Sequence, residues 1–450
     1  MKRTIAMLLA AMMLVLSFSA CSGSSTQPSS TAGETSSAGA SESSAGETPK
    51  EATITFWYTA NDANPSDYFA VWQKENIRLF EEKYPNIKIQ PTVISDSNQY
   101  MTKITTEVAA GNAPDVFQTW LSGRLKPFVE ADRLRPLDDL IARSPVMQEI
   151  IPEAATQLGT FDGKVYAIPT INTGEVIYYN KKIFAENNWE IPETYDELLA
   201  IVEECNEKGI IPMAMGNDCV WLGSVPYMAY FQRMYGNDLY EEVILNQNSK
   251  FDDPAFIEAG EELQRMTELG MFTPNANAVK PEESQASFKE GKAAMSFDGT
   301  WRLPVFYDAL GDDLGFFNFP NVEGGKGDSS VWLVNYGNAM SIGSNTKEPE
   351  AAELFVEFIF SKERQKALGE YGQLLSCVNI DIDKTKVSEI AFEMNEALAG
   401  TSYPFIPWDN PLGTNLGNEF NKATQGIIGG KDPTEMFTRL NEVAKREWSE

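Results

Sequence analysis

The chain has 450 residues and a formal net charge of −29 at pH 7, with 65 acidic and 36 basic residues. This balance argues against a nucleic-acid-binding surface, which would need a basic stripe. The sequence contains no histidine, which excludes Ser-His-Asp and Cys-His catalysis and zinc sites with histidine ligands. The sequence thus argues against most enzymes, although carboxylate-only chemistry, as in glycosidases, survives this exclusion. We predict a protein that is not an enzyme and that holds no cofactor and no metal.

The first twenty residues have the layout of a secretory signal peptide. Lys2 and Arg3 precede an apolar run over residues 5–16, and small residues stand directly before Cys21. The run is too short to cross a bilayer. A cysteine at the first mature position is typical of a bacterial lipoprotein. We expect residues 1–20 to be removed and Cys21 to be lipidated.

Residues 21–51 are predicted to form a flexible stalk. They consist mainly of Ser, Thr, Gly, Ala and a few Glu, and such a segment buries too little apolar surface to offset its ordering entropy. No later stretch is apolar over the length that a membrane span needs. The pattern predicts a globular body held by lipid at the outer face of the cell membrane.

Strand and helix patterns alternate in the first part of the body. The strands are predicted over 52–58, 87–93 and 115–119, and the helices over 70–84 and 100–110. This order indicates a mostly parallel sheet covered by helices, with ligands at the carboxyl ends of the strands. Trp57, Asp115 and Trp120 lie near those ends.

Several short motifs follow one another along the body. Residues 110–117 read Ala-Gly-Asn-Ala-Pro-Asp-Val-Phe, 163–169 Gly-Lys-Val-Tyr-Ala-Ile-Pro, 178–181 Tyr-Tyr-Asn-Lys, 288–295 Phe-Lys-Glu-Gly-Lys-Ala-Ala-Met and 297–301 Phe-Asp-Gly-Thr-Trp. Thr194 and Glu197 have the spacing of a helix capping box. In this order, and with a lipoprotein start, the segments resemble the family 1 extracellular solute-binding proteins of ABC importers, in their carbohydrate-binding branch.

The resemblance implies a periplasmic-binding-protein-like α/β fold with two lobes. Each lobe is expected to be a mostly parallel sheet flanked by helices, and hinge strands join the lobes. The expected division is 52–170 with 335–398 for lobe one and 171–334 with 399–450 for lobe two. A ligand held in the cleft would favour the closed form, which ABC importer permease subunits would recognise.

The sequence offers ten candidate ligand contacts. A tryptophan ring suits the flat C–H face of a sugar, and Asp, Asn and Glu suit its hydroxyl groups. The candidates are Trp57, Asp115, Trp120, Asn172, Glu175, Trp221, Asp298, Trp301, Trp332 and Trp408. We expect the ligand to be a mono- or oligosaccharide and the protein to be a monomer.

Two other functions stay open at this stage. The acidic charge is also consistent with a binding protein for a polyamine or another cation, which would place several carboxylates inside the cleft. An exported glycosidase with two carboxylates is the third possibility. The pairing of Cys205, Cys219 and Cys377 is open as well, although the first two are closest in sequence.

Overall fold

The computed structural model describes residues 50–65, 67–372 and 375–449. The predicted signal peptide, the lipidation site at Cys21 and nearly all of the predicted stalk lie outside these residues. Within the described part of the chain, no helix combines the length and apolar character needed to span a membrane.

The first sheet has four strands in the order β11-β3-β1-β2. Its elements are β1 (Ala52–Thr59), α1 (Tyr68–Lys83), β2 (Ile87–Ile94), α2 (Ser97–Ala109), β3 (Val116–Thr119) and the later β11 (Ala339–Ile342). β1 is parallel to β2 and β3, whereas β11 is antiparallel to β3. The predicted β-α-β-α-β order and mostly parallel pairing are confirmed for this sheet.

Local chemistry explains where these elements begin. The side chain of Asp67 accepts a hydrogen bond from the Ala70 N–H at the start of α1, and Asp96 caps α2 in the same way. Ile54, Phe56 and Tyr58 alternate along β1 and are buried on one face of the sheet. Their alternation leaves the intervening side chains, such as that of Trp57, on the opposite face.

Short elements then connect the first sheet to the second. They are α3 (Lys126–Glu130), α4 (Asp138–Arg143), α5 (Pro145–Ile150), α6 (Glu153–Thr156), β4 (Thr160–Phe161) and β5 (Lys164–Val165). β4 and β5 form a two-stranded hairpin of their own.

The second sheet is built around β6 (Ile171–Asn180). The other elements of this part are α7 (Lys181–Asn187), α8 (Tyr195–Lys208), β7 (Ile211–Ala214), α9 (Ser224–Tyr235), α10 (Pro254–Glu268), α11 (Pro281–Lys289), β8 (Ala293–Gly299), α12 (Leu303–Leu310), β9 (Leu314–Phe317) and β10 (Trp332–Gly337). The predicted capping box is confirmed, because Thr194 accepts from the Glu197 N–H and Glu197 accepts from the Thr194 N–H at the start of α8.

The C-terminal part contributes to both sheets. It contains α13 (Pro349–Ile359), α14 (Lys362–Gly372), β12 (Leu375–Ser376), α15 (Glu389–Ala399), β13 (Pro404–Phe405), α16 (Gly413–Ile428) and α17 (Pro433–Glu447). The strand order of the second sheet is β13-β10-β6-β8-β7, with β9 and β12 also paired to β6.

The second sheet differs from the mostly parallel sheet that the sequence predicts. β8, β9, β10 and β12 are all antiparallel to β6, and only the β7–β8 and β10–β13 pairs are parallel. The reason is that the long β6 carries the chain into this sheet, and four later strands return beside it in the opposite direction.

Separate apolar cores cover the two sheets. Phe56, Phe80 and Phe355 belong to the core of the first sheet, and α9, α10, α16 and α17 build the largest core of the second. The predicted boundary at residue 398 assigns α15 to lobe one. However, its buried residues Met394 and Leu398 pack with Val176 and Tyr178 of β6, so this helix lies against the second sheet.

The connection between β10 and β11 joins the two sheets. Asn338 stands between these strands with φ +50°, and its carbonyl accepts a hydrogen bond from Thr170 Oγ1 at 2.8 Å. Its side-chain oxygen accepts from Gln118 Nε2 at 2.7 Å. Asn338 therefore connects the end of the first sheet with the start of β6.

Candidate functional site

Trp301 lies on the surface of the second sheet beside Glu175. The strand β8 ends at Gly299, which pairs with Glu175 of β6. A Cβ atom at Gly299 would overlap the indole ring of Trp301, so the ring occupies the space that a side chain would fill there. Because directly opposite residues of paired strands share a face, the ring and the Glu175 side chain lie next to each other.

Trp221 forms an aromatic pair with Trp301. Their ring centroids are 5.9 Å apart and the ring planes are inclined by 53°. Both side chains are half-buried. Trp221 packs against the main core of the second sheet, whereas Trp301 packs against the core of the first. The pair therefore stands where the two halves of the body meet.

A tight turn positions Trp221. The Trp221 N–H donates to the Cys219 carbonyl at 2.9 Å, which closes a three-residue turn with Val220 at its centre. Val220 has φ +72°, a rare and strained conformation for a β-branched residue. The same carbonyl accepts a hydrogen bond from Asn98 Nδ2 of α2 at 3.1 Å. One oxygen thus links the turn to the half of the body that carries the first sheet.

Glu175 is buried, with 5% of its surface exposed, and its Oε2 atom has no hydrogen-bond partner. Burial, the nearby Asp409 carboxylate and, more weakly, Asp298 raise the pKa of Glu175 to about 8. The carboxyl group therefore keeps its proton at neutral pH. An unpartnered buried oxygen is costly, and such a group is expected where a ligand is to be received.

A partly buried ion pair joins the two halves near Glu175. Arg124 follows β3 and is 5% exposed; its Nη2 donates to Asp409 Oδ2 at 2.7 Å and its Nε to the Asp409 carbonyl at 3.0 Å. Asn421 Nδ2 donates to the same carboxylate oxygen at 3.2 Å. The Arg124 guanidinium carbon is 5.8 Å from the ring centroid of Trp120, which brings this predicted residue into the same region.

Asp298 is on the opposite face of the second sheet from Glu175, because it pairs with Val176. Gln285 Nε2 donates to Oδ2 and the Gly299 N–H to Oδ1, both at 2.8 Å. Burial raises the pKa of Asp298, and Arg302, 4.0 Å away, opposes this shift. With both oxygens bound inside the protein, Asp298 orders the end of β8 rather than presenting a free acceptor.

Asp115 has a similar internal role. Its Oδ2 accepts from the N–H and the hydroxyl of Thr55, both at 2.8 Å, and its Oδ1 accepts from Thr346 Oγ1 at 2.6 Å. The residue precedes β3, at the amino end of the strand and not at the carboxyl end that the sequence interpretation assumed. Asp115 therefore ties β1, β3 and the segment after β11 together.

Three other predicted tryptophans have packing partners of their own. Trp408 is 0% exposed and packs among core aromatic rings such as Tyr227 and Phe231, so it presents no face to a ligand. Trp332 packs on Phe316, with 6.1 Å between centroids. Trp57 faces α2, where Lys103 Nζ is 4.6 Å from its ring centroid.

Asn172, the remaining candidate, is the second residue of β6, and its backbone lies opposite Tyr336 of β10 and Leu375 of β12. The structure thus brings together Trp301, Trp221 and Glu175, with Trp120 nearby through Arg124. Sequence reasoning missed Arg124, Asp409, Asn98 and Val220. None of them belongs to a motif, and the contacts of Arg124 with Asp409 and of Asn98 with Cys219 span 285 and 121 positions.

The described cysteines form no disulfide. Cys205, Cys219 and Cys377 are all free thiols, which answers the question of pairing for the described cysteines. Within residues 50–65, 67–372 and 375–449, no group of three or more Cys, Asp or Glu side chains is arranged to hold a metal ion.

Comparison with known proteins identifies the family of this chain. Residues 62–366 match the family model described as bacterial extracellular solute-binding protein. An uncharacterized ABC transporter extracellular-binding protein of Pyrococcus horikoshii is 28% identical over 305 residues. This alignment covers 67% of this chain and 64% of the relative, which is less than two thirds of the relative's length.

Two further proteins are similar over most of their length. A diacetylchitobiose binding protein of Streptomyces coelicolor is 23% identical over 95% of this chain and 94% of its own. A structure solved in work on xylan utilization by Caldanaerobius polysaccharolyticus has a TM-score of 0.80 and 28% identity, covering 87% of this chain and 99% of that one. The predicted two-lobed α/β fold and the predicted resemblance are confirmed. The chain belongs to the bacterial extracellular solute-binding protein family.

Proposed function

We propose that the protein captures a sugar or oligosaccharide between its two sheets and delivers it to the permease subunits of an ABC importer. The observation that carries this proposal is the pairing of Trp221 and Trp301 beside Glu175. Aromatic faces bind the C–H side of a sugar ring, and a neighbouring carboxyl group binds its hydroxyls. The names of the relatives agree, since one of them is a diacetylchitobiose binding protein.

Contacts between the two halves support capture by closure. The Arg124–Asp409 ion pair and the Asn98 hydrogen bond to Cys219 both join the segments around the first sheet to loops of the second. Such contacts stabilise a closed form, and a ligand that touches both halves adds to that stabilisation. The closed form is the one that we expect the permease to recognise.

The same proposal places the protein outside the cytoplasm. The family is one of extracellular solute-binding proteins, and we infer that the lipid at Cys21 holds the body at the outer face of the cell membrane, as a monomer. The family and its named relatives are binding proteins. We therefore propose binding without turnover, and no hydrolysis of the captured sugar.

Calorimetry of the body against a panel of mono- and oligosaccharides tests this function. We expect saturable binding of one sugar series, and we expect Trp301→Ala to weaken it by about 1 kcal/mol or more, as the loss of an aromatic stacking partner should. Trp189→Phe is the matched control, because the Trp189 ring packs on Phe184 and Lys208 and not on Trp221, Trp301 or Glu175. A folded protein that binds no sugar, or that hydrolyses one, would contradict the proposal.

A further inference from the structure

We propose that the captured ligand presents a positively charged ammonium group to Glu175 and to the rings of Trp221 and Trp301. The inference rests on the proposed function in one respect, because it places the ligand between the two sheets. It goes further in naming the chemistry that the ligand must carry. The same ammonium chemistry occurs in amino sugars, polyamines and quaternary amines.

The first argument is the distribution of charge around Glu175. The two neighbouring carboxylates each have a cation of their own, Arg124 for Asp409 at 2.7 Å and Arg302 for Asp298 at 4.0 Å. Across the described residues, no lysine or arginine forms an ion pair with Glu175, and its Oε2 atom has no hydrogen-bond partner. When Glu175 is ionised, its negative charge is the one left unmatched in this group.

The second argument is the aromatic surface at the same place. The Trp301 ring lies over Gly299, directly opposite Glu175, and Trp221 meets it at an angle of 53°. Two inclined indole rings beside a carboxylate form the arrangement that binds ammonium groups through cation–π attraction. Tryptophan is the most favourable of the aromatic residues for this interaction.

A neutral sugar would satisfy only part of this site. Its hydroxyl group can hydrogen-bond to Oε2, but it offers no charge to pair with the carboxylate, so Glu175 stays protonated. Burial and, next, the neighbouring Asp409 and Asp298 carboxylates keep Glu175 protonated at neutral pH in the unliganded protein. An ammonium group stabilises the ionised form, so binding should release the Glu175 proton to solvent.

The test uses two β-1,4-linked disaccharides that differ only at C2, together with two amines that are not sugars. Chitobiose carries ammonium groups where cellobiose carries hydroxyls; choline and spermidine carry positive charge without a sugar ring. Calorimetry at pH 6.5 in buffers of different ionisation enthalpy gives both the affinity and the number of protons released. Because the chain has nine tryptophans, the fluorescence change on binding is compared between the wild type and Trp301→Phe, and its loss in the variant reports that the probe reaches the Trp301 ring.

We expect at least one amine probe to bind about tenfold or more tightly than cellobiose and to release a proton. Glu175→Gln keeps the shape of the side chain but not its charge, so it should bring the affinity for that amine probe down to the affinity of the same variant for cellobiose. Glu130→Gln is the control, because Glu130 is exposed and pairs with Lys126 on α3.

The outcomes separate this inference from the proposed function. Binding of chitobiose above cellobiose supports both proposals, and binding of choline or spermidine alone supports the ammonium site but contradicts sugar capture. Cellobiose binding as tightly as every amine probe would leave sugar capture in place and overturn the ammonium site. Failure of all amine probes to bind the folded protein, or an unchanged preference in Glu175→Gln, would also overturn it.

Discussion

Replacing Glu175 by glutamine should change how the stability of the unliganded protein depends on pH. The pKa of Glu175 is about 8 in the folded protein and 4.5 is its ordinary value. An acid with a higher pKa in the folded state binds its proton more tightly there than in the unfolded chain. The free energy of unfolding therefore falls as the pH rises from the lower pKa to the higher one.

The size of this effect follows from the two pKa values. Between pH 5 and pH 9 the ionisation of Glu175 should cost the wild-type protein about 4 kcal/mol of unfolding free energy. Glu175→Gln does not titrate, so it should not show this loss. The free energy of unfolding of the variant, measured relative to that of the wild type, should therefore rise by about 4 kcal/mol from pH 5 to pH 9.

Urea unfolding at pH 5, 7 and 9 measures this difference. Far-ultraviolet circular dichroism and tryptophan fluorescence should be followed together, because a body with two sheets requires a check that both unfold in one transition. Taking the difference between the two proteins removes the contributions that they share. Glu130→Gln should follow the wild type at every pH. If the difference in stability between Glu175→Gln and the wild type stays constant from pH 5 to pH 9, the claim that Glu175 is a buried carboxyl group with a raised pKa is refuted.

Three further substitutions test the contacts around the site. Gly299→Ala adds a methyl group where the Trp301 ring lies, so ligand affinity measured by calorimetry should fall by about tenfold while circular dichroism stays unchanged; unchanged affinity would refute the placement of the ring. Arg124→Met leaves the partly buried Asp409 without its cation and should lower the free energy of unfolding in urea by about 3 kcal/mol. A loss well below about 1 kcal/mol, as for an exposed ion pair, would contradict this role. Val220→Gly should relieve about 2 kcal/mol of backbone strain in the folded protein, while the greater chain entropy of the unfolded state costs about 1 kcal/mol. The variant should therefore be slightly more stable than the wild type. A clear destabilisation in urea unfolding would argue against strain at this turn.

The elements of the fold could largely be predicted because their signals are local. The strand at Ala52–Thr59 alternates in sequence as it does in burial, and the capping box of α8 depends on residues three positions apart. The antiparallel second sheet could not be predicted in this way. Its pairing depends on strands that return to β6 from as far as residue 376, and no local pattern records their direction.

The candidate site was predictable only in part, for the same physical reason. Residue type indicates that Trp301, Trp221 and Trp408 can all bind a sugar, but burial decides among them, and burial depends on distant elements. Trp408 is enclosed by rings from α9, α10 and α16. Asp115 stands in a recognisable motif, yet its partner Thr346 is 231 positions away, so its structural role was not visible.

A crystal structure of the body with the bound ligand tests the central claim most directly. We predict that the ligand lies between the two sheets, with a ring or charged group against Trp301 and Trp221 and a polar contact to Glu175 Oε2. Residues from the segments around both sheets should contact it. A ligand found instead in the groove on α2 near Lys103, or one that leaves Trp301 and Glu175 untouched, would contradict this account.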